Sequence, residues 1–412
     1  MIPLRLGPAP LAGTVRVPPS KSIAHRVLIA AWLAAGRDIQ EAGRRTGLDP
    51  ALSDDIAATW RCLAALQDDA LRPRILDCGE SGSTLRFLIP LAAALGTPAR
   101  FVGRGRLPQR PIAAYGTTFA EQKIQMTPSG SDYLPLELTG RLQAGHFQIV
   151  GDVSSQYITG LLFALPLLDG DSTLELTTPL ASAAYVDLTL GTLRDFGITV
   201  LESGTGWRIP GRQRYVFSAK LAVEPDFSQA AFWLVARFLG HDVSVVDLPE
   251  SSYQGDRAVR PILAALAGSD SVWPGLERGP EGFCLDADEI PDLIPVLSLA
   301  LALTPGSHRV HNAARLRIKE CDRLGASCRM LETLGVRVHE AESEFWIWGR
   351  PGPFRGKQAV SASGDHRMAM CWGVAATLCD GPLELDDGSV VTKSYPDFWD
   401  DYRRLGGSAV LL

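Results

Sequence analysis

The chain has 412 residues, 46% apolar and 21% charged, the balance of an ordinary folded protein with room for two or three cores. A formal net charge of −6 speaks against a general nucleic-acid binder, which needs a basic footprint, but allows a local basic pocket. Seven cysteines without a C-x-x-C pair fit a reducing compartment, and neither a signal-like start nor an apolar run of about 18 residues is present, so a cytoplasmic protein off the membrane is expected.

In chain order, six short polar clusters each lead straight into an apolar helical run. They are "SKSIAHRVLIAAWLAA" from Ser20, "SGSTLRFLIPLAAAL" from Ser81, "SSQYITGLLFALPLL" from Ser154, "DFSQAAFWLVARFL" from Asp226, "PDLIPVLSLALAL" from Pro291 and "DHRMAMCWGVAATL" from Asp365. Successive starts lie 61, 73, 72, 65 and 74 residues apart, the regularity of an internal repeat. Between them stand strand signals such as "FQIV", "STLEL", "ITVLES", "DVSVVDL" and "VRVHEAESEFWIW", and the amphipathic "YVDLTLGTLRDFG". We read six units, each mixing strands with two helices, arranged three plus three; one large α/β domain with coincidental spacing is the alternative. Helices apolar nearly all round belong in the core.

A helix N-terminus carries unsatisfied N–H groups and the positive end of a dipole, so clustered N-termini attract anions. Ser and Asp at such positions are also ordinary N-caps, and the caps alone favour that plainer role. The cations tip the balance. Lys21, Arg26, Arg86 and Arg367 lie at or near helix starts, while Arg106, Arg110, Lys319, Arg323 and Lys393 lie in polar turns. An unpaired cation beside apolar sequence is costly unless it meets an anion, so a cleft for a small, multiply anionic ligand is expected. Lys319 and Arg323, four residues apart, are predicted to share a helix face; a solvated amphipathic helix is the alternative. "GESGST" lacks the G-K-[ST] of a phosphate loop and misses the G-x-S-x-G elbow. His366 fits either a catalytic base or a structural donor.

Ten motifs, in order, resemble those of the 5-enolpyruvylshikimate-3-phosphate synthases, enolpyruvyl transferases of the shikimate pathway: "PSKSIAHR", "GESGSTLRF", "RLPQRPI", "SSQY", "SAAYVDLTL", "QGD", "IPD", "RIKECDRL", "GDHRMAM" and "KSYPD". The resemblance spans essentially the whole chain. It implies a two-domain inside-out α/β barrel, each domain three βαβαββ-type repeats. The implied domains are 20–224 (N-terminal, shikimate-phosphate side) and 1–19 plus 225–412 (C-terminal, phosphoenolpyruvate side with the acid and base), with the active site in the cleft between them and closure on ligand. The implied reaction joins phosphoenolpyruvate to the 5-hydroxyl of shikimate 3-phosphate and releases phosphate. No metal or organic cofactor is implied, and a monomer acting on small anionic substrates, without nucleic acid or membrane, is expected.

By the same resemblance, Lys21, Ser22, Arg26, Ser154, Ser155, Gln156, Ser182, Asp292 and Lys319 bind shikimate 3-phosphate. Lys21, Gly82, Arg110, Gln156, Arg323, Arg367 and Lys393 bind phosphoenolpyruvate. Asp292 takes the hydroxyl proton and Glu320 protonates the methylene carbon, assisted by Lys21. Arg315 and Glu80 stand where relatives often carry asparagine, "EPDFSQAA" departs at the second crossing, and the stretch from Leu66 to Gly79 is short, suggesting a trimmed strand or loop. Two other readings compete. A UDP-N-acetylglucosamine enolpyruvyl transferase normally carries Lys-Asn in place of Ser-Lys-Ser and a cysteine in the "GRGRLPQRP" loop, which has none here. A non-catalytic, RNA-end-binding relative would leave Lys21, Asp292 and Glu320 without purpose.

Overall fold

The six apolar runs form the helices Lys21–Ala34, Gly82–Ala94, Ser155–Ala164, Phe227–Phe238, Ile294–Leu303 and His366–Ala376 of the computed structural model, which describes residues 1–68, 73–217 and 221–412. Their composition decides their place. Ile294 to Ala302 are all buried in the sequence IPVLSLALAL, because a helix apolar on every face gains most when every face leaves water. Truncating one such side chain, as in Leu297→Ala, would cost about 2–5 kcal/mol through lost burial and the cavity left behind.

The chain divides into two compact units: a composite unit of Met1–Ser20 with Glu224–Leu412, and an inserted unit of Lys21–Val223. Each has its own core. In the composite unit the Phe227, Ile294 and His366 helices pack together, and Phe232, Trp233, Phe398 and Tyr402 add aromatic contacts. In the inserted unit the Gly82 and Ser155 helices pack closely, and Phe87 meets Phe163 across them.

One sheet pattern recurs. Arg74–Asp77 runs parallel to Ala99–Val102, which is antiparallel to Leu136–Thr139, itself antiparallel to Gln125–Pro128. His146–Ile149, Ser172–Leu176, Gly206–Ile209 and Leu201–Ser203 repeat it. In the composite unit Phe283–Asp286, Gly306–His311, Phe345–Gly349 and Arg337–Glu340 follow the same order, with Leu276–Arg278 added at the edge. The last sheet begins with the parallel pair Gln358–Val360 and Leu383–Leu385 and is completed by the terminal strands Leu4–Gly7 and Ser408–Leu411. A parallel pair requires a crossover. In these four sheets the crossover contains an apolar helix, so that helix begins just past the carboxyl end of a strand, where α/β sheets place ligands.

The first repeat holds three helices rather than the expected two, and its strand, Arg74–Asp77, comes only at its end. Residues 21–68 hold no strand; after Lys21–Ala34 come the helices Ile39–Thr46 and Asp54–Gln67. The cause is local. Asp38 Oδ1 accepts from Gln40 N at 2.9 Å and Glu41 N at 3.1 Å, and Gly47 closes the helix at φ 68°, a start and stop pair that favours helix over strand. Of the short stretch between Leu66 and Gly79, Arg74–Asp77 is a strand, while 69–72 lie outside the described residues.

Candidate active site

In the inserted unit, polar groups gather at helix starts. Ser81 Oγ accepts from Thr84 N at 3.2 Å and Ser154 Oγ from Gln156 N at 3.3 Å, so both serines do cap. Ser20 does not: its buried Oγ has no hydrogen-bond partner among the described residues. Lys21, at the start of that first helix, holds its Nζ 2.8 Å from Asp55 Oδ2.

Arg26 is buried among hydroxyls and carbonyls. Its Nε donates to Thr189 Oγ1 at 2.8 Å, Nη1 to Ser22 O at 2.6 Å and Nη2 to Tyr185 O at 2.8 Å. Burial pulls its pKa down to about 10, with Tyr185 opposing, which still leaves a cation at neutral pH. It ties its own helix to Ala183–Asp195 and stiffens the wall behind Ser22. His25 is structural as well: its Nδ1 lies 2.8 Å from Thr59 Oγ1, its ring meets Phe87 edge-on, and burial pushes it down to about 3.

A second cluster forms where the Gly82 and Ser155 helices begin. Arg86 Nη1 donates to Gln156 Oε1 at 2.8 Å, its Nη2 donates to Pro111 O at 2.9 Å, and Gln156 Nε2 donates to Ser83 Oγ at 3.0 Å. A Cβ on Gly82 would lie 2.8 Å from Arg110 Nη1 and 2.9 Å from Arg86 Nη1. The glycine is therefore what lets two guanidinium groups approach the helix start. Arg106, by contrast, is exposed on its loop. The segment leading to Ser182 is pinned to the one leading to Ser154: Ala181 N donates to Gly151 O at 3.1 Å, and Thr178 Oγ1 accepts from Gly151 N at 2.8 Å. The Glu80 carboxyl lies against Gly105, where a Cβ would be 2.7 Å from its Cδ.

In the composite unit a charged cluster centres on Asp292. Its Oδ1 accepts from Arg323 Nη1 at 2.7 Å, its Oδ2 from Arg367 Nη2 at 2.7 Å, and Lys319 Nζ lies 3.7 Å away. Arg323 also donates from Nη2 to Glu320 Oε2 at 2.6 Å and from Nε to Asp365 Oδ2 at 2.7 Å. Asp365 accepts from Arg367 N at 2.9 Å, capping that helix. Burial raises the Asp292 pKa, but Arg367, Lys319 and Arg323 together outweigh it and hold the carboxyl far below the usual carboxylate range. Burial lowers Lys319 to about 8, against the pull of Asp292, because an ammonium is strongly hydrated in water. Lys393 is buried on the adjacent Ser389–Lys393 turn.

Lys319 and Arg323 do not share a helix face. Lys319 is extended and the helix begins at Arg323, because Asp322 Oδ1 caps Gly325 N at 3.0 Å. The two cations converge through Asp292 instead. Arg315 turns away to Asp288 Oδ1, 2.9 Å distant. Sequence reasoning counted Arg86 only among the cations of an expected cleft, gave Asp365 only the role of a cap, and assigned none to Asp55. The signal for Asp365 was its cap position; Asp55 lies 34 residues from Lys21, and no local pattern links them.

A family model described as EPSP synthase (3-phosphoshikimate 1-carboxyvinyltransferase) matches residues 6–402. The 3-phosphoshikimate 1-carboxyvinyltransferase of Clostridium beijerinckii is 40% identical over 433 residues, covering 98% of this chain and 97% of its own. That of Clostridium kluyveri is 41% identical over 427 residues, with 98% and 97% covered. Among solved structures, an EPSP synthase from Acinetobacter baumannii matches with a TM-score of 0.75 at 22% identity over 100% of both chains. The enolpyruvyl transferase NikO of Streptomyces tendae matches with 0.70 at 17% identity over 100% and 99%. At such identities the structural likeness speaks to fold, which is that of the enolpyruvyl transferases.

Proposed function

The chain belongs to the EPSP synthase family, and on that premise we propose that it transfers the enolpyruvyl group of phosphoenolpyruvate to the 5-hydroxyl of shikimate 3-phosphate, releasing phosphate. The observation that carries this reading is the pairing of two carboxylates, Asp292 and Glu320, through one guanidinium, Arg323. Adding an alcohol across an enol ether needs a base at oxygen and an acid at carbon, held in register.

Asp292 takes the hydroxyl proton, and Glu320, assisted by Lys21, protonates the methylene carbon. The tetrahedral intermediate then loses a proton from its new methyl group as phosphate departs. Arg323, Arg367, Arg110, Lys21 and Lys393 stabilise its carboxylate and phosphate, with Gly82 and Gln156 shaping the approach. Ser154, Ser155 and Ser182 hold the shikimate phosphate, Lys21, Ser22, Arg26 and Gln156 line its pocket, and Lys319 touches the ring. Phosphoenolpyruvate would draw Arg323 and Arg367 away from Asp292. That releases the carboxylate from the charges that depress its pKa, making it a stronger base once its substrate has arrived.

On the same reading the enzyme is a cytoplasmic monomer. Among the described residues no helix is long and apolar enough to cross a membrane. The test is phosphate release by purified protein: expected only with both shikimate 3-phosphate and phosphoenolpyruvate present, and not when UDP-N-acetylglucosamine replaces the former. Folded protein that releases none at saturating substrate would overturn the proposal.

A further inference from the structure

One buried carboxylate touches two of the arginine residues assigned above to phosphoenolpyruvate. Asp365 is fully buried at the start of the His366–Ala376 helix. Its Oδ2 accepts from Arg323 Nε at 2.7 Å and from the Cys321 thiol at 3.5 Å. Its Oδ1 accepts from Arg367 N at 2.9 Å and from Arg323 Nη2 at 3.4 Å, and His366 Nδ1 lies 3.5 Å from it. The backbone beneath is pinned as well: Asp365 N donates to Ala362 O at 2.9 Å, and Ala362 N donates to Asp386 Oδ1 at 2.8 Å.

Arg323 therefore has two unlike edges on one rigid, planar fork. Its Nε edge faces a carboxylate that solvent does not reach. Its Nη ends face Asp292 Oδ1 at 2.7 Å and Glu320 Oε2 at 2.6 Å, whose side chains are 19% and 14% exposed. An anion coming from solvent meets the second pair, not the first. We propose that Asp365 is a positioning residue: it grips Arg323 by Nε, so that the Nη ends exchange internal carboxylates for phosphoenolpyruvate while the guanidinium stays in place. The same carboxylate, by capping Arg367 N, fixes the helix start that carries the second arginine. This deepens the functional reading above and rests on it.

Asp365→Asn keeps the cap through Oδ1 but turns an NH2 donor towards the Nε–H donor. Its KM for phosphoenolpyruvate should rise about tenfold or more, while that for shikimate 3-phosphate stays within about twofold. In an Arg323→Lys background, which offers no Nε edge to grip, the same substitution should raise the phosphoenolpyruvate KM by less than about twofold further. A merely structural role would give equal factors in both backgrounds. Asp365→Ser, which caps without a carboxylate, should give the same pair of results and replaces the asparagine variant if that one does not fold. In the wild type, a solvent-protected arginine Nε–H resonance, assigned by its absence from Arg323→Lys, should persist when both substrates are added. An unchanged KM, equal factors in the two backgrounds, or loss of the protected resonance on adding substrates overturns the role of Asp365 alone. A folded wild type that releases no phosphate with both substrates overturns the reading of the reaction, and this role with it.

Discussion

Arg323 Nη1 donates to Asp292 Oδ1 at 2.7 Å, so the proposed base is paired with a guanidinium proposed to bind an anion. Arg323 is only 2% exposed along its side chain, and such a buried charge is tolerated because three carboxylates surround it. On the proposed reading, the site's cations rest on internal anions until a substrate anion displaces them.

Separate losses are expected for acid and base. Asp292→Asn and Glu320→Gln should each lower kcat by about 100-fold or more, measured as phosphate release. With Glu320→Gln, deuterium incorporation from solvent into the methylene group of phosphoenolpyruvate should also disappear. Undiminished exchange would remove Glu320 from the donor role.

Gly82→Ala should raise the KM for phosphoenolpyruvate by about tenfold or more while leaving the melting temperature nearly unchanged. The added Cβ would meet Arg110 Nη1 at 2.8 Å and Arg86 Nη1 at 2.9 Å. Those are ends of long side chains, able to move without disturbing the core but not without Arg110 leaving its proposed anion-binding posture and Arg86 its bond to Gln156. A normal KM would show that the arginines do not act from where they stand.

Lys21→Ala should lower kcat by about 100-fold and also lower the melting temperature by several degrees, because the buried Asp55 loses its 2.8 Å ion pair. Near-normal turnover in steady-state assays would reduce Lys21 to a structural partner of Asp55.

Stability should fall as pH drops from about 6.5 towards 3, partly through His25. Burial lowers its folded-state value to about 3, so across that window the unfolded chain binds a proton that the folded chain refuses. Stability is therefore lost as pH falls, not as it rises. His25→Asn should flatten the slope of melting temperature against pH between 6.5 and 4; an unaltered slope would place the acid sensitivity elsewhere.

Much of the fold was legible because its signals are local. A polar cap followed by an apolar run marks a helix start whatever lies elsewhere, and all six runs did form helices. Local signals also explain two misreadings. Asp38 and Gly47 mark the Ile39–Thr46 helix, and Asp322 starts a helix at Arg323 rather than before Lys319; in both places a cap outranked the broader repeat or spacing pattern.

The sequence by itself determined the α/β class, the six buried helices and which residue types carry charge near their starts. Only the tertiary structure decided which charges meet. Asp292 pairs with Arg323 across 31 residues and with Arg367 across 75, while Arg323 reaches Asp365 across 42. Helical periodicity encodes neighbours three or four residues apart. Contacts between distant segments exist only once helix packing has brought their ends together, and it is those contacts that hold Asp292 ionised, while the burial that comes with them lowers Lys319 to about 8.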